Sequence, residues 1–323
     1  MNSDDQTKIA YADCFSGVSG DMFLGALIDA GLPLGKLQAE LSKLGLEKFT
    51  LRSIRQHDQS ISSTRLVIES EKSIPNRAWK DIRQLILQSD LDKKVKEKSL
   101  QIFTCLAEAE SRVHDCETDE VHFHELGGLD SIIDIVGAVI GLHYLGIDRL
   151  VASPLPMTRG FVRCEHGTLP LPAPAVCEIL NNVPVYGSSI EQELVTPTGA
   201  ALVKTLSSDF GDFPAMKISR TGYGAGSRKL PGDIPNLFRL VIGYERKIEE
   251  VQEVEVIETN LDDWSPETFP HLCEQLFASG ALDVTLVPVH MKKGRPGFLL
   301  SVITNPAQAL EIKKYILNET TSI

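Results

Sequence analysis

Apolar and polar positions along the chain alternate between two periods, and the changes of period mark the elements. "KIAYADCF" (8–15) is a run of strand formers, and "SGDMFLGALIDAG" (19–31) carries helical spacing. Ser19 stands where an N-cap is expected, Asp21 falls in the first turn, and Gly31 follows the last apolar position. A second, amphipathic helix is predicted over 33–45. The β-rich runs "KFTLRSIRQ" (48–56) and "ISSTRLVIES" (61–70) are close enough to pair as a hairpin. Residues 77–114 keep helical spacing with one break near Ser89–Leu91. "VHFHELGG" (121–128) is short and extended, and it feeds an almost wholly apolar helix over about Asp130–Leu145.

The middle of the chain has no such period. Pro154, Pro156, Pro170, Pro172 and Pro174, with Gly160 and Gly167, predict a long ordered loop over 152–180 rather than a packed element. Thr196 precedes Pro197 as a helix cap precedes its first turn. Four glycines between 219 and 232 read as a turn region before a strand. The charged stretch "ERKIEEVQEVEV" (245–256) reads as a linker. After it come β (253–259), α (266–279), β (283–290), β (298–304) and α (306–317). That order is one strand short of a ferredoxin-like unit. The expectation is an α/β (α+β) protein: a larger mixed N-terminal domain, 1–246, and a truncated ferredoxin-like domain, 247–323.

Composition narrows the function classes. With 42% hydrophobic and 24% charged residues the 323-residue chain has the make-up of a soluble globular protein. Its net charge of -12 argues against a general nucleic-acid binder. No apolar run is long enough for a membrane span, and "MNSDDQTK" is no secretory signal. Six scattered cysteines without a C-x-x-C fit a reducing, cytoplasmic setting.

Several stretches carry coordinating chemistry. His122 and His124 share a face if 121–125 is extended, while Phe123 and Glu125 point to the other. Imidazoles so placed suit nickel, zinc or copper, although capping and core-edge roles explain the same spacing. His166 sits in the proline-rich loop, which would hold it still. Asp130 and Asp134 lie four residues apart, on one side of the following helix. "DCFSGVSGDM" (13–22) is a strand–turn–helix junction. Its amides suit an anion only if a cation offsets Asp13 and Asp21, and a plain tight β-α turn explains the stretch equally well. "HMKKGRPGF" (290–298) is the clearest anion signal: Lys292, Lys293 and Arg295 crowd a Gly/Pro turn, unless they merely guard a strand edge. Gly294 and Gly297 are read there as allowing close approach to a ligand. Asp262 and Asp263 in "ETNLDDW" offer oxygen ligands for magnesium or manganese. The candidate set is therefore Asp13, Asp21 and Asp130 for catalysis. His122, His124, His166 and Glu125 are the metal candidates. Lys292, Lys293, Arg295, Asp262 and Asp263 are the candidates for a bound nucleotide.

Taken in order, "DCFSGVSGDMFLGALIDAG", "VHFHELGGLDSIIDIVGA", "SPLPMTRGFVRCEHGTLPLPAPA", "ELVTPTGAAL", "GYGAGSRKLPGDIPNLFRL", "ETNLDDWSPE" and "MKKGRPGFLLSV" resemble the LarC family of nickel insertion proteins. The resemblance implies insertion of Ni2+ into a pyridinium bis-thiocarboxylic acid mononucleotide. It implies consumption of CTP, released as CMP and pyrophosphate, with Mn2+ or Mg2+. The product would be the nickel-pincer cofactor of lactate racemase-type enzymes, which makes an apo-racemase a candidate acceptor; a second copy of the chain is the other candidate protein partner. It further implies nickel in the N-terminal part, nucleotide in the C-terminal part, and a nucleotide half longer than the one here. A nickel-holding module without turnover and a metal-dependent hydrolase are the competing readings.

Overall fold

The computed structural model describes residues 7–58, 60–70, 77–123, 128–164, 167–245 and 253–320. Two compact units follow one another along the chain, Met1–Lys247 and Ile248–Ile323.

In chain order the first unit contains β1 (Lys8–Asp13), α1 (Gly20–Asp29), α2 (Leu34–Leu41), β2 (Phe49–Asp58), β3 (Ile61–Ser70), α3 (Trp79–Gln88), α4 (Lys93–His114) and α5 (Leu129–Tyr144). It continues with β4 (Arg149–Ala152), β5 (Leu155–Met157), β6 (Phe161–Cys164), β7 (Gly167–Pro170), α6 (Pro174–Ile179), β8 (Val185–Gly187), α7 (Pro197–Leu206), β9 (Asp209–Phe210), β10 (Met216–Ala225) and β11 (Leu237–Glu245). Seven strands form one mixed sheet in the order β2-β3-β10-β11-β1-β4-β9. β1 is parallel to β4 and antiparallel to β11. The hairpin of β2 and β3 forms as expected, from Phe49↔Ser70 to Asp58↔Ile61.

Helix boundaries follow local chemistry. Asp92 opens α4 by accepting from Lys94 N at 2.8 Å, which accounts for the break after α3. Thr196 caps α7, accepting from Gly199 N at 3.1 Å with Pro197 behind it. α5 is buried nearly all round, from Ile132 to Leu142, because it lies against α1, α2, α4 and α7 rather than on the surface.

Two expectations are corrected. The proline-rich stretch contains the short pairs β5·β8 and β6·β7 and the helix α6, so it is not one loop. Proline is tolerated in such short, marginal strands because few ladder bonds are required of it. The glycines at 222 and 224 sit within β10, not in a turn. They are required because α1 rests directly on that strand: a Cβ on Gly224 would lie 1.7 Å from Met22 O, and one on Gly222 2.1 Å from Ala26 O. Phe23 of α1 stacks on Phe238 of β11 at 5.2 Å, sealing the same contact.

The second unit contains β12 (Glu255–Leu261), α8 (Phe269–Ala278), β13 (Ala281–His290), β14 (Pro296–Thr304) and α9 (Pro306–Glu319). The three strands are antiparallel in the order β12-β14-β13. Ile257, Leu261, Leu272, Leu276, Leu300, Val302, Ile312 and Ile316 make its core. Among the described residues no helix is long and apolar enough to cross a membrane.

Candidate functional site

The turn after β1 is where the first unit ties its elements together. Cys14 N donates to Ser153 Oγ beyond β4 at 2.9 Å, and Ser16 Oγ donates to Pro235 O ahead of β11 at 2.7 Å. Val18 N donates to Leu194 O, Thr196 N donates back to Val18 O, and Val18 bridges Val195. The carboxyl end of β1 therefore meets the entrance of α1, the entrance of α7 and the loops after β4 and before β11. Ligands in sheets with parallel strands commonly bind at this end.

Asp13 closes β1. Its register partner is Arg239, whose Nε donates to Asp13 Oδ2 at 2.9 Å while Nη2 reaches the same oxygen. The guanidinium also lies over the Phe15 ring at 5.8 Å. Asp13 thus has a partner already. No local pattern pointed to Arg239, because 226 positions separate the two residues. Burial holds the Cys14 thiol at about 12, so it is a packing residue rather than a ligand.

Ser19 precedes α1 as expected, but its side chain does not cap the helix; Ser19 Oγ donates to Asp21 Oδ1 instead. Asp21 lines a small cleft of about 120 Å³ with Ser19, Glu193, Thr196, Arg228 and Asn236. Asp21 and Asp130, remote in sequence, are brought together at the entrances of α1 and α5. Partial burial, then the nearby Asp21 charge, raises Asp130 above the usual carboxylate range. Asp134, one turn further along α5, is raised well above it by burial first, then by Asp21 and Asp130.

His122 lies in an extended segment bridged to Ala78, and its exposed imidazole stands between buried Val121 and Phe123. That alternation is the one expected of an extended segment. His124, Glu125 and His166 lie outside the described residues, so the metal set is seen only through His122. Among the described residues no three His, Cys, Asp or Glu side chains are gathered into a ready metal cage.

In the second unit, β13 and β14 are joined by a tight turn that Met291 N closes on Arg295 O at 2.7 Å. Lys293 and Gly294 both have positive φ there, 67° and 71°. Lys292, Lys293 and Arg295 are exposed. Because Leu261 pairs with Phe298, the end of β12 lies beside this turn, and Asp262 comes within 3.9 Å of Arg295. Asp263 follows it on the surface. Gly297 has a structural task instead of the ligand contact expected of it: a Cβ would stand 2.8 Å from Leu261 O and 2.4 Å from Met291 Sδ.

The sequence model of the family described as "Nickel insertion protein" matches residues 10–323. The chain belongs to that family. A Desulfotalea psychrophila member is 51% identical over 317 residues, covering 98% of this chain and 82% of its own. The pyridinium-3,5-bisthiocarboxylic acid mononucleotide nickel insertion protein of Desulfitobacterium hafniense (strain DSM 10664 / DCB-2) is 45% identical over 322 residues, 98% of this chain and 80% of its own. Among solved structures, the apo C-terminal domain of a cyclometallase involved in the synthesis of the NPN cofactor of lactate racemase is similar. It is 43% identical over 22% of this chain and 49% of its own, with a TM-score of 0.21.

Proposed function

We propose that this protein inserts nickel into pyridinium-3,5-bisthiocarboxylic acid mononucleotide to form a nickel-pincer nucleotide cofactor. The observation that carries the reading is the family match along residues 10–323, supported by relatives named for that reaction. The enzyme is then a lyase-type cyclometallase of the cytoplasm.

Each unit has a part. The first receives nickel, the transferred substrate, at the end of the sheet where α1 and α5 begin. His122 is one ligand candidate, joined by His124, Glu125 and His166. Asp21 and Asp130 face the reacting groups, whereas Asp13, bound by Arg239, acts as a positioning residue. Nitrogen and oxygen ligands suit a cargo that must leave again, since a closed thiolate cage would retain it.

The second unit, read as an incomplete ferredoxin-like fold, takes CTP. The residues at its turn fit a metal-bound triphosphate. Lys292, Lys293 and Arg295 supply three cations for phosphate oxygens, and Asp262 and Asp263 supply hard oxygen ligands beside them. Mn2+ or Mg2+ there would neutralise phosphate charge. The Asp262–Arg295 pair, exposed and at 3.9 Å, is weak enough to give way to a stronger anion.

The test is nickel transfer by the purified protein to the mononucleotide, with and without CTP and manganese. Formation of the nickel adduct is the expected result, and hydrolysis of a simple phosphate ester with no nickel transfer would overturn the reading.

A further inference from the structure

Asp134 presents a problem that the nickel reading leaves open. The residue is 8% exposed, and its buried Oδ1 has no hydrogen-bond partner. A carboxyl left unsatisfied in a buried position is costly and calls for a reason. The charges that raise it, those of Asp21 and Asp130, are both acidic and disfavour its ionised form. The helix α1 has even made room for it. Gly20 is the first residue of α1, and a Cβ there would lie 2.5 Å from Asp134 Oδ2 and 2.6 Å from Asp134 Cβ. The carboxyl is thus held against the start of α1, next to Asp21, with Asp130 one turn back towards the surface.

We propose that Asp134, Asp21 and Asp130 form a divalent-cation site at the junction of α1 and α5, with Asp134 as its floor and the other two as its rim. The charge balance supports an ion of that valence. Three carboxylates bring three negative charges, and two helix entrances offset roughly half a charge each, leaving about -2. All three ligands are oxygen, which suits a hard or borderline divalent ion keeping some water. The three carboxylates do not converge as a cage in this structure, so holding a cation requires the two at the rim to turn inwards. Rim carboxylates on the first turns of two helices can rotate inwards; the buried one cannot leave.

The inference concerns the cation alone and does not depend on nickel insertion, which the transfer assay tests separately. The ion is either cargo nickel or a resident manganese-like ion, and two titrations separate them. The metal-free protein carrying His122→Ala, His124→Ala and His166→Ala is titrated calorimetrically with Ni2+ and with Mn2+. About one equivalent should still bind, and adding Asp134→Asn should weaken that binding at least tenfold for the metal concerned. Asn keeps the shape and removes the charge, so circular dichroism should be unchanged. If Asp134→Asn fails to fold, Asp130→Asn on the surface decides in the same way. No divalent binding in the histidine-free protein, or unchanged affinity for both metals in the aspartate variants, would overturn the proposal.

Discussion

Gly224→Ala tests the contact that seats the candidate site. The new Cβ would stand 1.7 Å from Met22 O, against 3.4 Å for the closest ordinary contact. The shortfall, 3.4 minus 1.7, is 1.7 Å, and the opposing atoms are helix backbone, so no side chain can swing away. α1 must lift or β10 must bend. Lifting separates Phe23, Leu24 and Leu27, all at 0% exposure, from their neighbours. A gap of even 0.5–1 Å forfeits roughly a quarter to a half of a dispersion contact. Overpacking of this kind costs about 1–3 kcal/mol, and a backbone clash belongs at the top of that range. Against it, alanine restricts the unfolded chain and returns about 0.4–1 kcal/mol. The net loss is therefore about 2–3 kcal/mol. At roughly 2–4 °C per kcal/mol for a unit of this size, Tm should fall by about 4–12 °C.

The assay must isolate the first unit, and the two tryptophans allow it. Trp79 is buried in the first unit and Trp264 packs on the core of the second. In a Trp264→Phe background, fluorescence follows the first unit alone. An unchanged or raised Tm for Gly224→Ala would refute the reasoning, since the chain-entropy term acting alone predicts a gain. The same variant should weaken whatever α1 presents at its entrance, because Asp21 moves with the helix.

Other consequences follow from single groups. Arg295→Ala should weaken CTP binding about ten- to a hundredfold, the equivalent of a lost charged hydrogen bond of roughly 1.5–3 kcal/mol, and leave nickel affinity unchanged in the same calorimeter. With its thiol at about 12, Cys14 should resist alkylation at pH 8 in the native protein, where exposed Cys177 reacts, and become reactive only on unfolding; equal rates would contradict its burial. In metal-free protein Asp134 holds its proton to higher pH in the folded state than in the unfolded one, where it is lost near the ordinary carboxylate value. Its contribution to stability is therefore intact at acid pH and is lost as pH rises from about 4 towards the elevated folded value. In metal-free protein, the Tm advantage of Asp134→Asn over the parent should grow over that interval, and a pH-independent difference would contradict it.

Sequence periodicity carried far where one element's own chemistry decides its state. The hairpin of β2 and β3, the broken pair α3 and α4, and the cap at Thr196 are all local, and all appear at their expected places. The order of elements after residue 253 is likewise the expected one. Apart from the Ser19 cap, what failed was set by a distant partner. Gly222 and Gly224 look like turn residues until α1 is laid upon them. Gly297 looks like a ligand-approach glycine until β12 is paired beside it. Arg239 had no signal, because its meaning comes from the register of β1 with β11.

The candidate site shows the same division more sharply. Asp130 and Asp134 could be assigned to one helix side from spacing, and Asp21 to the start of another helix, but nothing in the sequence says that those two entrances meet. Their meeting depends on a chain of fits. Glycines at 222 and 224 let α1 sink onto the sheet, Gly137 and Gly141 let Leu24 and Leu27 of α1 pack against α5, and Gly20 then leaves the space into which Asp134 turns. Each step removes a side chain so that two backbones can approach, and the last places a buried carboxyl where no ordinary core would keep one. A core built only for stability would put a hydrophobe at 134, because replacing a buried charge by an apolar group of similar volume is commonly neutral or stabilising. Keeping an acid there, with two more at the rim, is accounted for by a cation that arrives from outside.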